Sequence, residues 1–373
     1  MKKFKILTVI GTRPEIIRLS KVIKKFDEKF NHILVHTNQN HDYHLNQIFF
    51  KELKIRKPNY IFRQIKNTAF SFLANSLIDI EKIILKEKPD AYLILGDTNS
   101  ALTAIVAKKY KIPLFHIESG NRCFDQNVPE EINRKILDHI SDVNVVYSSF
   151  ARRNLIKEGI DNEKIYKLGS PLYEVLNFYK ENINHEKILK KYKVLKNNYF
   201  LISFHRNENT NNKKNFNKFC AILKILEKKF KKPILISTHP ATKIAISRIN
   251  NNKFKKRIFF MKPFSFKEYL ALQMNAKLII SDSGSITEES SILKLKSISL
   301  RDTFERQEGL ETSSIIMSSL QIDNLEKILD YYLSDNNKKS EMHESYNNLN
   351  FSENISDLLV SKINHINKYI YYK

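Results

Sequence analysis

Phe4-Lys5-Ile6-Leu7-Thr8-Val9-Ile10-Gly11-Thr12-Arg13-Pro14-Glu15 is the stretch that decides the fold of this 373-residue chain. Its first part, Phe4–Ile10, is rich in apolar and β-branched residues and predicts a buried strand that ends at Gly11. Pro14 is tolerated in the first turn of a helix, where its missing N–H costs nothing, and a helix is predicted over 15–29. A strand, a turn and a helix in this order are typical of an α/β sheet.

The same alternation continues through the first half of the chain. Strands that alternate with helices imply right-handed crossovers and a parallel, doubly wound sheet. The further predicted strands are Ile33–His36, Ala91–Leu95, Leu114–Ile117 and Val143–Tyr147. The predicted helices between them span 67–87, 98–110 and 130–140.

A second series of the same kind begins after Gly169-Ser170-Pro171. Two series of similar length predict two Rossmann-like domains, 1–170 and 171–350, and the C-terminal stretch 351–373, largely one helix, is expected to pack back on the first. Ligands of open α/β sheets bind at the carboxyl ends of strands, so we expect the two domains to form a central cleft. The predicted strands of the second series are Tyr199–Phe204, Pro233–Ser237, Arg257–Met261, Lys277–Ser281 and Ser297–Leu300.

The chain is strongly basic, with 63 Lys and Arg against 40 Asp and Glu and a net charge of +23. Most of the excess is lysine within amphipathic stretches such as 228–232, which is typical of solvated helix faces. The sequence has no basic tail and no aromatic-plus-glycine motif of a single-strand binder. We therefore expect an anionic small substrate, steered by the positive field, and no nucleic acid.

Cysteine content and hydropathy argue against disulfide-rich, metal-binding and membrane-spanning proteins. Cys123 and Cys220 are too few for a disulfide framework or a zinc site, and His36, His41 and His44 are not spaced as a metal site with a nearby carboxylate pair. No apolar run approaches the ~20 residues of a membrane helix, and the N-terminus lacks a signal-peptide pattern. The expectation is a cytoplasmic protein with no metal, no cofactor and no membrane insertion.

Two turns between a strand and a helix are candidate phosphate sites. In Gly11–Glu15, helix N–H groups would point at an anion and Arg13 would add a bidentate donor. A single glycine does not make the dinucleotide fingerprint, which needs three. A capped turn with a surface arginine is the alternative interpretation.

The counterpart in the second half is Ser281–Glu289. Ser283 and Gly284 would supply N–H and hydroxyl donors to a diphosphate. Glu289 could accept both ribose hydroxyls, and Arg306 adds positive charge nearby. An ordinary N-cap is the alternative here.

Acidic residues at strand and helix ends are the candidate catalytic residues. Asp97 follows one predicted strand, Glu118 follows the next, and Glu131 begins the helix after that. Crowded carboxylates have separated pKa values, which would yield one acid and one base near neutrality. Helix capping for Asp97 and helix-dipole complementation for Glu131 remain alternatives.

Histidines follow two strands of the second series. His205-Arg206 comes after the first strand and His239-Pro240 after the next. A histidine close to a phosphate leaving group could donate a proton or a charge-assisted hydrogen bond. A structural role is the alternative, chiefly for His239.

Taken together, these segments resemble the non-hydrolysing UDP-N-acetylglucosamine 2-epimerase family. The similarity covers nearly the whole chain and is carried by ordered motifs at Gly11–Glu15, Gly96–Thr98, His116–Arg122, Pro129–Arg134, His205–Asn209, Asp282–Glu289 and Glu305–Arg306. The resemblance implies two Rossmann-like domains of the glycosyltransferase-B type, a cleft for a UDP-sugar, a homodimer, and neither metal nor NAD. It also implies elimination of UDP across C1–C2 and its re-addition after protonation of C2 from the other face.

The resemblance assigns roles to matching positions. Asp97, Glu118, Glu131 and His205 look like the family's catalytic residues. The residues expected to bind UDP or the sugar are Arg13, Arg18, Gln39, Arg122, Arg206, His239, Ser283, Gly284, Glu289 and Arg306. The family commonly has lysine where Arg18 stands, and histidine where Asn40 stands, which puts a second, regulatory UDP-sugar site in doubt.

Ser119–Val128 is similar to the branch that forms UDP-N-acetyl-L-fucosamine from UDP-2-acetamido-2,6-dideoxy-L-talose for capsule or O-antigen synthesis. We hypothesise that Cys123 or Phe124 forms an apolar patch for the 6-methyl group, the alternative being that both pack under the loop. Epimerisation of UDP-N-acetylglucosamine and a glycosyltransferase on the same fold remain open.

Overall fold

The structure is a computed structural model that describes residues 3–39, 47–63, 68–238, 240–247, 257–334 and 341–373. The chain divides into two compact units, Met1–Phe178 with Glu344–Lys373, and Tyr179–His343. The division falls within helix α8 (Pro171–Lys180) rather than at residue 170. The C-terminal segment belongs to the first unit from Glu344 onward.

Within the described residues, the first unit contains one parallel sheet of seven strands in the order β3-β2-β1-β4-β5-β6-β7. β4 and β5 match their predicted bounds, because a strand buried on both faces is a continuous apolar run. The strands are β1 Lys5–Ile10, β2 Asn31–His36, β3 Tyr60–Ile61, β4 Ala91–Leu95, β5 Leu114–Ile117, β6 Val143–Val146 and β7 Ile165–Lys167.

Two helices of the first unit differ from their predictions. The helix predicted over 15–29 is two helices that meet at Leu19. The helix predicted over 98–110 starts later, with a 3₁₀ turn at Ala101–Thr103, because residues 97–100 form a loop. The helices are α1 Arg13–Arg18, α2 Ser20–Lys29, α3 Gln47–Glu52, α4 Ala69–Glu87, α5 Ala104–Lys109, α6 Pro129–Ile140, α7 Ser149–Lys157, α8 Pro171–Lys180 and α17 Phe351–Tyr369.

The second unit contains, within the described residues, a parallel sheet of six strands in the order β10-β9-β8-β11-β12-β13. Its strands are β8 Phe200–Ser203, β9 Ile234–Ser237, β10 Ile258–Met261, β11 Leu278–Ser281, β12 Ser297–Ser299 and β13 Ile316–Met317. Its helices are α9 His185–Lys191, α10 Asn207–Thr210, α11 Lys213–Phe230, α12 Pro240–Ser247, α13 Phe266–Asn275, α14 Ile286–Leu293, α15 Glu308–Glu311 and α16 Ile322–Ser334. The prediction of an α/β fold with two doubly wound sheets is confirmed.

Strand β8, inside the second sheet, buries both of its faces. Phe200 and Ile202 point to the layer that holds Phe219 of α11, whereas Tyr199 and Leu201 belong to the opposite layer. The two sets alternate along β8, as the two-residue period of a strand requires. Helices therefore cover both faces, and the polar loops collect at the strand ends.

Helix α17 packs against α2 of the first unit. Its buried residues Phe351, Ile355, Leu359 and Ile363 recur every four residues and form one apolar face. Glu353 adds ion pairs to Lys25 and Lys29 at the rim of this contact. In the described residues, no helix is long and apolar enough to cross a membrane.

Both sheets have a point at which the strand order reverses. In the first unit β1 lies between β2 and β4, and in the second unit β8 lies between β9 and β11. Ligands of open α/β sheets bind in the crevice that forms there, outside the carboxyl ends of the strands. Among the predicted site residues, Asp97 follows β4, His205 and Arg206 follow β8, Ser283 and Gly284 follow β11, and Arg13 begins the helix after β1.

Candidate active site

The turn after β1 is closed by the carboxylate of Glu15. Its Oε2 accepts hydrogen bonds from the N–H of Gly11 at 2.8 Å, the N–H of Thr12 at 2.6 Å and the Thr12 hydroxyl at 2.9 Å. Its Oε1 accepts one from the Thr98 hydroxyl at 2.8 Å. The chain's own carboxylate thus occupies the N–H groups of Gly11 and Thr12. Phosphate binding by Arg13 and the helix N–H groups that follow stays a prediction.

Gly11 is required here by close approach. A Cβ at this position would lie 2.0 Å from the Ser100 Oγ and 2.2 Å from the Thr37 Oγ1, far inside van der Waals contact. Those two hydroxyls are hydrogen-bonded to each other at 2.6 Å. Gln39 accepts from the Ser100 N–H and hydroxyl at 3.1 and 2.7 Å. The loop after β4 is thus fixed against the turn after β1.

Asp97 and Glu131 meet at one arginine. The Nε of Arg134 contacts Asp97 Oδ2 at 2.7 Å, and its Nη1 contacts Glu131 Oε2 at 2.8 Å. Arg134 is 5% exposed, so the guanidinium lies between the two carboxylates with little competition from water. Its positive charge relieves the repulsion that the sequence analysis expected between these acids.

Glu131 is surrounded by donors. It accepts from the N–H groups of Cys123 and Phe124, both at 3.2 Å, and the Cys123 thiol lies 3.3 Å from Oε2. Burial alone would raise the pKa of Glu131, but the Cys123 N–H and the Arg134 guanidinium outweigh it and hold that pKa below its ordinary value. Glu131 is 2% exposed and stays ionised. These contacts fix its position, and its part in catalysis stays a prediction.

Phe124 has an unusual conformation for a bulky residue. Its φ is +56°, in the left-handed region that non-glycine residues rarely adopt, and its side chain is 68% exposed. Cys123 is half-buried and its thiol faces Glu131. The two side chains thus point in opposite directions, the cysteine inward and the phenylalanine outward.

Glu118 also has a left-handed backbone, with φ +71°. Its Oε2 lies 3.6 Å from the Arg18 Nε and accepts a hydrogen bond from the Tyr147 hydroxyl at 3.1 Å. The Asn121 side chain donates to its Oε1 at 3.4 Å. Backbone strain of this kind clusters at functional sites, and Arg18 is positioned here by a carboxylate.

Arg122 differs from its prediction as a substrate ligand. Its side chain is fully buried, pairing with Asp138 at 2.8 Å and in bidentate fashion with Glu158 at 2.8 and 2.6 Å. Asp138 in turn lies 3.0 Å from the His116 Nδ1. Burial opposes ionisation of Asp138, but His116 and Arg122 lower its pKa. Arg122 therefore anchors the loop that contains Glu118 from within the unit.

In the second unit, the buried Asp282 organises the candidate residues after β8. Its carboxylate accepts the N–H of His205 at 3.1 Å, the N–H of Arg206 at 3.0 Å and the Asn209 side chain at 3.1 Å. The His205 Nδ1 lies 3.3 Å from Asp282 Oδ1. The histidine is thereby oriented by a carboxylate, as a general acid or hydrogen-bond donor requires.

The loop after β11 borders a small recess lined by Ser283, Gly284, Arg301, Glu305 and Arg306, among others. Glu305 pairs with Arg301 at 2.7 Å and Arg306 at 3.4 Å, and lies 3.8 Å from Arg206. Arg206 and Arg306 are the two of these arginines that were expected to bind UDP or the sugar. The structure shows them held in place by a buried carboxylate.

The structure also describes the surroundings of three other predicted ligands, Arg306, Glu289 and Arg13. Arg306 also pairs with the fully buried Glu288 at 3.1 Å. Glu289, the expected ribose ligand, accepts a hydrogen bond from Gln273 at 2.5 Å. Arg13 begins α1 and is half-buried, whereas His239 lies outside the described residues.

Arg134, Asp282 and Glu305 are the functional candidates that sequence reasoning did not single out. Arg134 follows Glu131 by three residues, which is an ion-pair spacing on a helix and could have revealed it. Asp282 directly follows a strand, as Asp97 does. Nothing in the sequence signals the pairing of Glu305 with three arginines.

Metal coordination finds no support in the described residues, where no group of three or more histidine, cysteine, aspartate or glutamate side chains is arranged to hold an ion. The site residues form two clusters, one within each unit. The first combines carboxylates and arginines, and the second combines an oriented histidine with arginines and small residues.

Comparison with known proteins identifies the family of the chain. The sequence model of the UDP-N-acetylglucosamine 2-epimerase family matches residues 24–360. A structure titled UDP-N-acetylglucosamine 2-epimerase from Rickettsia bellii is 43% identical with a TM-score of 0.92, and the match covers 100% of both chains. The Methanocaldococcus jannaschii UDP-GlcNAc 2-epimerase, solved in complex with UDP-GlcNAc and UDP, is 35% identical with a TM-score of 0.88 over 96% of this chain and 100% of that one.

A curated relative from Pseudomonas aeruginosa, UDP-2,3-diacetamido-2,3-dideoxy-D-glucuronate 2-epimerase, is 32% identical over 81% of this chain and 84% of its own length. The names of these relatives share the 2-epimerase reaction and the UDP group but differ in the sugar. The chain therefore belongs to the non-hydrolysing UDP-N-acetylglucosamine 2-epimerase family and is a UDP-sugar 2-epimerase, an isomerase with two sheets of the glycosyltransferase-B type.

Proposed function

We propose that the protein inverts C2 of UDP-2-acetamido-2,6-dideoxy-L-talose to give UDP-N-acetyl-L-fucosamine, by elimination and re-addition of UDP. Phe124 is the observation that carries the choice of sugar. Its N–H donates to Glu131 of the Asp97–Arg134–Glu131 cluster and its ring is exposed, so it offers apolar surface for the methyl group that a 6-deoxy sugar has instead of a hydroxymethyl group. Burying the hydroxyl of a hydroxymethyl group against such a ring, without a hydrogen-bond partner, would cost binding free energy.

The proposed reaction proceeds in two balanced steps. In the first, a base removes the proton from C2, the C1–O bond breaks with its electron pair passing to the β-phosphate, and a C1–C2 double bond forms. In the second, an acid protonates C2 from the other face while UDP re-adds at C1. We assign the proton transfers to Asp97 and Glu118, the two acids whose side chains are 21% and 12% exposed.

The diphosphate is assigned to the second unit. His205, oriented by Asp282, would donate to the departing phosphate, as general acids do for poor leaving groups. Arg206 and Arg306 would stabilise its charge through preorganised hydrogen bonds. Ser283 and Gly284 line the recess beside them, and the remaining expected ligands Arg13, Arg18, Gln39 and Glu289 stay part of this proposal.

Conversion of UDP-N-acetylglucosamine to UDP-N-acetylmannosamine is the second candidate. The names of the Rickettsia bellii and Methanocaldococcus jannaschii relatives favour it. A glycosyltransferase role, which needs one base and an acceptor pocket, is disfavoured by the match to the 2-epimerase family. We also propose that the protein is a homodimer, and light scattering would measure its oligomeric state. A cytoplasmic role in surface polysaccharide synthesis is part of the same proposal.

The test incubates both UDP-sugars separately in D₂O without an acceptor and measures deuterium at C2 and the epimeric product. We expect exchange and epimerisation with the 6-deoxy-L-talo sugar, at a rate at least about tenfold above that with UDP-N-acetylglucosamine, as apolar pockets discriminate by that order. Phe124→Ser should remove this preference. Equal turnover of the two sugars would reject the sugar assignment, and no exchange with either would reject the mechanism.

A further inference from the structure

Glu15 is a buried carboxyl group for which the proposed reaction has no use. It is 2% exposed and lies in the first turn of α1. None of the groups that donate hydrogen bonds to it is a basic side chain. Its four hydrogen bonds come from Gly11, Thr12 and Thr98. Burial raises the pKa of Glu15 to about 7, against the lowering effect of these donors. A group that is so costly to bury needs a function or a structural reason.

The hydrogen bonds of Glu15 join two segments that are distant in sequence. Gly11 and Thr12 belong to the turn that leads into Arg13, and Thr98 directly follows Asp97. The Asp97 backbone oxygen accepts from the Asn133 side chain at 2.8 Å, and its carboxylate pairs with Arg134. The Thr98–Glu15 bond therefore fixes the remaining side of the loop that presents Asp97.

The two segments also pack closely against each other at Gly11. Gly11 lies against the hydroxyls of Thr37 and Ser100, and even a methyl group would collide with them. Ser100 is in turn held by Gln39. A shift of the Asp97 loop therefore has to move the Arg13 turn as well.

We propose that Glu15 is a positioning residue that holds the Arg13 turn and the Asp97 loop in one arrangement, so that phosphate contact and proton transfer occur in register. This inference rests on the proposed roles of Arg13 and Asp97. Errors of about 1 Å in placing a reacting group cost on the order of 100-fold in rate, which is the scale of effect available to such a residue.

The role depends on hydrogen bonds and volume rather than on charge. A glutamine at position 15 keeps an oxygen that accepts from Gly11 and Thr12, and its amide N–H can donate to the Thr98 hydroxyl oxygen. A methionine keeps the volume but loses every one of these bonds. Glu15→Gln and Glu15→Met therefore separate positioning from packing.

The experiment measures kcat, KM and C2 deuterium exchange for Glu15→Gln, Glu15→Met, Thr98→Val and Thr98→Ser. We expect Glu15→Gln and Thr98→Ser to stay within about threefold of wild type, Glu15→Met to lose about 100-fold in kcat/KM, and Thr98→Val to lose about tenfold in kcat with KM nearly unchanged. Glu227→Met, at another buried glutamate on α11 of the second unit, is the matched control and should leave kcat unchanged.

Two results would overturn the inference. One is wild-type kcat in a folded Glu15→Met or Thr98→Val protein, and the other is a Glu15→Gln protein as impaired as Glu15→Met. Should Glu15→Met fail to fold, the Thr98 pair still decides the question. Asp97→Asn keeps the two proposals apart, because an active Asp97→Asn protein rejects the role of Asp97, whereas an inactive one with active Glu15→Met rejects only the positioning.

Discussion

Replacing Glu15 with glutamine should stabilise the protein above neutral pH. The carboxyl has a pKa of about 7 when folded and an ordinary value of 4.5. The folded state therefore keeps a proton that the unfolded state releases between these values. By linkage, the wild-type protein loses stability as pH rises through this window, whereas a neutral glutamine does not.

The size of the effect follows from the shift. At 1.36 kcal/mol per pKa unit, a shift from 4.5 to about 7 corresponds to about 3 kcal/mol. Most of it develops between about pH 5 and 7.5, so the stability difference between variant and wild type should grow by that amount over this range. In a unit of about 200 residues, 3 kcal/mol corresponds to roughly 6 to 12 °C in melting temperature.

The assay is differential scanning calorimetry of both proteins at several pH values, followed on the transition of the first unit. Ser76→Ala, a buried and non-titrating position on α4, is the control and should change stability equally at every pH. A Glu15→Gln difference that is flat from pH 5 to 8 would refute the argument, because it would mean that burial does not raise the pKa of this group.

Four other substitutions test separate parts of the site. Arg122→Leu leaves Asp138 buried without its arginine and should cost about 3 to 5 kcal/mol in thermal or urea unfolding, whereas Arg206→Leu, at a 20% exposed side chain, should cost far less and instead weaken UDP binding measured by calorimetry. Gly284→Ala places a methyl group 3.0 Å from Glu305 and 3.1 Å from Arg301, so UDP affinity should fall about tenfold, and an unchanged Kd would contradict the crowding. Arg134→Lys keeps the charge but cannot reach Asp97 and Glu131 as a planar fork does, so C2 exchange should fall about 100-fold with UDP affinity retained.

The sheets were largely predictable because buried parallel strands leave a strong signal. Ala91–Leu95 and Leu114–Ile117 are continuous apolar runs bounded by polar residues, and their observed bounds match the predicted ones. Tyr60–Ile61 and Ile316–Met317 are two-residue edge strands, too short for any periodicity. The break between α1 and α2 at Leu19 has no glycine or proline to announce it.

The site was predictable in its residue types but not in their directions. Acids at strand ends, such as Asp97 and Glu118, are visible because the fold places those positions beside the crevice. Whether an arginine faces outward depends on partners elsewhere in the chain. Arg122 turns inward because Asp138 and Glu158, on two different helices, satisfy it, and no local pattern contains that information.

The two turns at the points of strand reversal illustrate how one local structure serves different purposes. After β1, Glu15 satisfies the N–H groups of Gly11 and Thr12 from within. After β11, Ser283 and Gly284 remain partly exposed, and Ser285, the N-cap residue of α14, makes no side-chain capping hydrogen bond. An anion at the first turn would have to displace a buried carboxylate, whereas at the second it finds half-exposed donors beside arginines. A diphosphate should therefore be held chiefly by the second unit, and the first turn should act by placing Arg13 and Asp97.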